Sequence, residues 1–181
     1  MPRRRFLFDQ PDRFITGTVG APGSRTFFLQ ARDGARVVSV SLEKVQVAVL
    51  SQRLAELLEE LERRGIEGTA EIPGAVGDTG ALDEPLNEVF RAGTLSLGWD
   101  TRDELVLLEA RELTEDDLED DDAHEDGPDI FQIRFAPAEA RQFVARALRV
   151  LAAGRPPCPL CGQPLDPQGH LCPRRNGHLL N

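Results

Sequence analysis

Apolar periodicity changes twice along this chain, each time from strict alternation to a repeat of three and four residues. That order restricts it to strands packed under helices. Residues 13–19 read as a strand that ends in the turn cluster Gly20-Ala21-Pro22-Gly23-Ser24. Residues 25–31 form the next strand, and Asp33-Gly34 turns it back into 37–42, because glycine accepts the positive φ of a tight hairpin turn. From Glu43, Val47, Leu50, Leu54, Leu57, Leu58 and Leu61 recur at helical spacing, and Gly65 stands where a helix stop is expected. Residues 65–83 are rich in Gly, Pro and Ala, with few apolar anchors, and read as a connector. Strands follow at 88–99, 104–110 and 129–135. Pro137 then opens a second helix to about residue 153, with Phe143, Ala147, Leu148 and Leu151 on its buried side.

Three strands and a helix, twice over, predict an α+β fold of two related β-β-β-α halves with antiparallel sheets. The halves, 12–64 and 88–153, read as an internal duplication inside one domain, 1–153. A Cys/His tail, 154–181, follows as a zinc-knuckle-like appendage. At 181 residues and 40% hydrophobic content the chain buries a core without disulfides.

The net charge of −10 belongs to one segment. Residues 112–129 hold eleven acidic side chains and no Lys or Arg, so −10 + 11 = +1 remains for the rest. The segment lacks the alternating Asp and fixed Gly of a calcium loop, and reads as a solvated loop. Twenty arginines stand against one lysine, Lys44, and there is no tyrosine, a bias of the kind a GC-rich genome imposes. No run is long enough to cross a bilayer, and Phe6-Leu7-Phe8 is too short for a signal peptide, so a cytoplasmic protein is expected.

All three cysteines and two of the three histidines lie in the tail, as Cys158-Pro-Leu-Cys161-Gly162, then His170-Leu-Cys172, then His178. A cysteine pair two residues apart, followed by further Cys and His, is the spacing of a tetrahedral zinc site, with thiolate and imidazole as preferred ligands. Cys158, Cys161 and Cys172 are three ligands. By spacing alone the fourth is either His170, one residue from Cys172, or His178 beside the flexible Gly177. Four protein ligands fill zinc's coordination and make a structural site, not a catalytic one.

Catalytic motifs are absent from the sequence: it has no Gly-x-Ser-x-Gly elbow and no His-Glu-x-x-His. The glycines of 17–23 are followed by no Lys-Ser/Thr and precede a strand, unlike a phosphate loop. Arg155, Arg174 and Arg175 against Asp166 leave the tail at only 3 − 1 = +2. Useful phosphate binding takes on the order of six contacts, so nucleic acid is not the expected partner.

The segments 90–100 (Phe-Arg-Ala-Gly-Thr-Leu-Ser-Leu-Gly-Trp-Asp), 131–141 (Phe-Gln-Ile-Arg-Phe-Ala-Pro-Ala-Glu-Ala-Arg) and 158–177 resemble an actinobacterial family catalogued as domain of unknown function 3090. The resemblance extends over the whole chain. It implies a cytoplasmic protein with a Cys/His-rich tail and no assigned activity, encoded near phosphoglycerate-mutase-like and kinase-like proteins. It also favours His170 as fourth ligand, since the Gly-His-x-Cys-Pro segment recurs in the family and the position of His178 is often tyrosine. The resulting expectation is a non-enzymatic interaction or adaptor protein with structural zinc on Cys158, Cys161, His170 and Cys172, acting on an unidentified protein partner. The alternatives are an enzyme with a pocket between the two halves and a weak nucleic-acid binder.

Overall fold

Each segment with alternating apolar residues forms a strand, and both segments with a helical repeat form helices. The computed structural model describes residues 2–71, 73–74, 77–114, 127–154, 157–162, 165 and 172. Its elements are β1 (Arg5–Asp9), β2 (Arg13–Val19), β3 (Thr26–Asp33), β4 (Arg36–Leu42), α1 (Lys44–Arg63), β5 (Glu88–Asp100), β6 (Leu105–Glu112), β7 (Ile130–Phe135) and α2 (Pro137–Ala152). α1 stops as glycine predicts: Gly65 has φ +78°, its N–H donates to Glu62 O and that of Ile66 to Leu61 O, a Schellman closure.

The expectation of antiparallel sheets is corrected. All seven strands share one mixed sheet in the order β1-β7-β6-β5-β4-β3-β2, with β4·β5 and β1·β7 parallel. A helix between β4 and β5 returns the chain to the end where β4 began, so the next strand runs the same way and the two triplets join edge to edge. β1, which contains the short apolar Phe6-Leu7-Phe8 run and for which the sequence pattern predicts no element, pairs along β7 from Arg5↔Ile130 to Asp9↔Arg134. Asp129 is what starts it: a buried carboxylate, it accepts from the Arg4 backbone N–H (2.8 Å) and the Arg4 Nε–H (2.7 Å). The reading of 112–129 as one solvated loop is therefore wrong at both ends. Glu112 closes β6, and its N–H donates to Asp129 O. Residues 115–126, His124 among them, lie outside the described residues.

β1 and β2 are the outer strands of the sheet, yet only residues 10–12 separate them. Such a link reaches at most about 14 Å, whereas seven flat strands would be about 29 Å across. The sheet must curl. Arg36 on β4 accordingly donates to Leu7 O on β1 (3.0 Å) and covers the Phe8 ring. Phe14 on β2 meets Phe135 on β7 (5.1 Å) and stacks on Phe143 of α2 (4.7 Å). One sheet face fills the core under both helices: Phe27, Leu29 and Ala31 pair with Leu42, Val40 and Val38, and Val106, Leu108 and Ala110 with Phe135, Ile133 and Phe131. On α2, Phe143 and Ala147 are buried as expected, but Leu148 is 58% exposed and Arg146 only 4%. The buried side is turned about one residue from the expected one, toward β2.

Arg146 explains that turn. It reaches round the outer edge of β2, where Nε–H donates to Thr16 O, and Nη1 donates to Asp78 O (2.6 Å) and Gly80 O (2.8 Å). The connector is thus strapped down by charge. Arg13 pairs with Asp78 (2.7 Å) and Asp83 (2.9 Å), and the Gln30 amide exchanges two hydrogen bonds with the Asp83 backbone. Leu82 packs onto Gly17, where a Cβ would stand 2.7 Å from Leu82 Cγ.

The strap makes stability depend on acid. The Asp78 carboxyl is lowered from 3.8 to about 2, first by the Arg13 hydrogen bond, with the Gly80 amide and the Arg146 charge adding to it. A carboxyl depressed on folding contributes stability above its unfolded value, and that contribution is lost as pH falls through the folded value. With a third of the side chain exposed (33%), we expect acidification from pH 5 to 2 to cost about 1–2 kcal/mol through this group. Urea unfolding of wild type and Asp78→Asn over that range checks it: the variant loses less by that amount, and parallel pH profiles refute it.

Candidate metal centre

The tail approaches a metal site through a turn. Gly162, at φ +73°, donates its N–H to Cys158 O (2.8 Å), closing residues 158–162 on themselves. This aims backbone amides at the first sulfur. Leu160 N–H points to Cys158 Sγ at 3.4 Å, and the Cys158 thiol is held below its ordinary value, by the Cys161 amide first and then that of Leu160. Amides so placed favour thiolate, the form that binds metal.

Cys172 comes from beyond the turn and completes the group. The three sulfurs lie within 4.8 Å of one another, Cys158 and Cys172 are each 6% exposed, and none is in a disulfide. Cys158 Sγ and Cys172 Sγ are 3.9 Å apart. A disulfide would hold them at about 2 Å. With zinc–sulfur bonds of about 2.3 Å, two thiolates on one tetrahedral ion stand roughly 3.8 Å apart. The donor set and its spacing therefore fit a tetrahedral thiophilic metal. Sequence spacing picked out these three residues, and the fold brings them together; His170 and His178 both lie outside the described residues.

A second feature was not read from the sequence. Between α1 and β5 runs an open cavity of about 660 Å³ lined by Val45, Val49, Leu57, Leu95, Leu97 and Trp99, with Leu50 at its base. Gln46 and Arg53 are the polar side chains among its described lining residues, which include no carboxylate, imidazole or thiol. The described lining therefore has the composition of a binding surface. In the sequence its helical members merge with the core stripe of α1 and look like ordinary packing.

No described helix is long and apolar enough to cross a membrane. A family model described as a protein of unknown function (DUF3090) matches residues 6–172. No curated protein and no solved structure matches the chain.

Proposed function

The chain belongs to the DUF3090 family of proteins of unknown function, and within it we propose a non-enzymatic interaction protein of the cytoplasm, whose C-terminal segment is secured by structural zinc. The observation that carries the metal reading is the set of three mutually close sulfurs with a tetrahedral edge between Cys158 and Cys172. Cys158, Cys161 and Cys172 hold the ion, and His170, with His178 as the other choice, supplies the fourth ligand. Zinc with four protein ligands contributes folding energy to a segment too short to bury a core. Binding as the role of the body is supported by the apolar cavity between α1 and β5, whose described lining holds one charged side chain, Arg53. Because α1 follows the first strand triplet and β5 opens the second, we also read that cavity as the junction of two duplicated β-β-β-α units, each ordered sequentially across the sheet.

Elemental analysis of the full chain, purified without chelator from zinc-supplemented growth, is expected to give about one zinc per chain. Cys158→Ser lowers that several-fold, and the one of His170→Ala and His178→Ala that does likewise identifies the fourth ligand. A wild-type ratio near zero overturns the metal reading.

A further inference from the structure

Beyond Arg91 the strand β5 pairs with a described strand on one side only. Its parallel pairing with β4 covers Ser39↔Glu88, Val40↔Phe90 and Ser41↔Arg91, while its pairing with β6 runs on to Asp100↔Leu105. The asymmetry follows from the chain's path: β4 ends at Leu42 and α1 begins at Lys44, so the chain leaves the sheet halfway along β5. Gln46 Nε2 donates to Ala92 O (3.2 Å) and Gly93 O (2.8 Å), covering the first carbonyls past the break. From Thr94 onward no described strand pairs with that edge.

We propose that this edge of β5 accepts an added strand: an extended segment of a partner protein, apolar at alternate positions, laid between β5 and α1. The cavity reaches the strand's edge as well as its face, because Leu97, Gly98 and Trp99 line it in succession, whereas a face offers only alternate residues. Its far wall is a row on α1 at intervals of four, Val45, Val49, Arg53 and Leu57. Val45 is 65% and Val49 50% exposed, unusual for apolar residues on a helix whose other stripe fills the core. The row is about 18 Å long, the reach of five or six extended residues at about 3.3 Å each. Main-chain hydrogen bonds to the edge supply affinity in such a pairing, and pockets for every second side chain supply selectivity.

Two further observations narrow the occupant. Open edges are normally blocked by charge or proline, and residues 93–99, Gly-Thr-Leu-Ser-Leu-Gly-Trp, contain neither. Arg53 is the only charged side chain among the described residues of the lining, and its Glu56 contact (3.1 Å) joins two exposed groups, a weak and exchangeable pair. The segment therefore carries an acidic side chain beside its apolar ones.

The proposal deepens the binding reading above and is independent of the metal: a failed zinc analysis leaves it standing, and a failed peptide selection leaves the zinc site standing. A random octapeptide library displayed on phage is selected against the full chain, with Val49→Asp as counter-target. The expected winners carry apolar residues at every second position and an Asp or Glu. The resynthesised winner shifts the emission of Trp99, the only tryptophan in a chain without tyrosine. Val49→Asp, and separately Val45→Asp, weaken its binding at least tenfold with unchanged circular dichroism. N-methylation of one set of alternate peptide amides does the same and needs no protein variant. Selection without an alternating pattern, or equal affinity of both N-methylated sets, overturns strand addition. A wild-type dimer that Val49→Asp dissolves reassigns the edge to a second copy of this chain and overturns the partner segment.

Discussion

Replacing Arg146 by methionine lowers the unfolding free energy by about 3–5 kcal/mol in urea titrations, the range for removing one partner of a buried charged network. The residue is 4% exposed, and burial pulls its guanidinium below the ordinary arginine value while the Asp78 carboxylate pushes it back. Methionine fills much of the same volume, so the loss is one of hydrogen bonds and charge, with little cavity term. Thr16 O on the edge of β2 and Gly80 O in the strap lose the guanidinium as donor, while Asp78 O loses one of two donors and keeps Arg149 Nη2 (2.6 Å). Arg13 still holds the Asp78 carboxylate, which keeps the effect at the lower part of the range. Arg146→Lys keeps the charge but loses the planar fork that serves several acceptors together, and falls between the two. A change below about 1 kcal/mol for the methionine variant would show that water replaces the guanidinium at that edge.

The same network shows what a single sequence conceals. Strands and helices were legible because period two and period 3.6 are local, and Asp33-Gly34 and Gly65 are local signals for a turn and a stop. Parallel pairing has no such mark. Nothing near Val38 or Phe90 announces that β4 lies beside β5, since the link between them is a whole helix and a connector. Residues 65–83 looked unanchored because their anchors are Asp78 and Asp83, polar residues held by arginines distant in the chain, Arg13, Arg32 and Arg146. Arg146 stood among the polar residues of an amphipathic helix, and no period distinguishes a charge that faces solvent from one that faces a strand edge. The cysteines are the opposite case. Ligand chemistry fixes their spacing in the chain, so Cys158, Cys161 and Cys172 could be named before their sulfurs were seen within 4.8 Å of one another.

The curl of the sheet leads to the second large effect, at Phe14. This ring is where the two ends of the strand order meet: it stacks on Phe143 with 9° between planes and tilts against Phe135, while belonging to β2, an outer strand. Phe14→Ala removes the bridge among β2, β7 and α2 together, and about 2–4 kcal/mol of stability is expected to go with it, less than for a fully buried phenylalanine because Phe14 keeps some exposure. Phe14→Leu retains the apolar contact but not the stacking, and should cost about 1 kcal/mol or a little more. A double-mutant cycle with Phe143→Ala separates the two contributions: coupling of about 0.5–1.5 kcal/mol beyond additivity marks the ring pair itself. If Phe14→Ala costs under about 1 kcal/mol, the three-residue link and the Arg36 contacts with β1 hold the curl without it. The distinction matters for β5, because the curl carries β2 round toward α2, and the α1 side of β5 stays unpaired by any described strand.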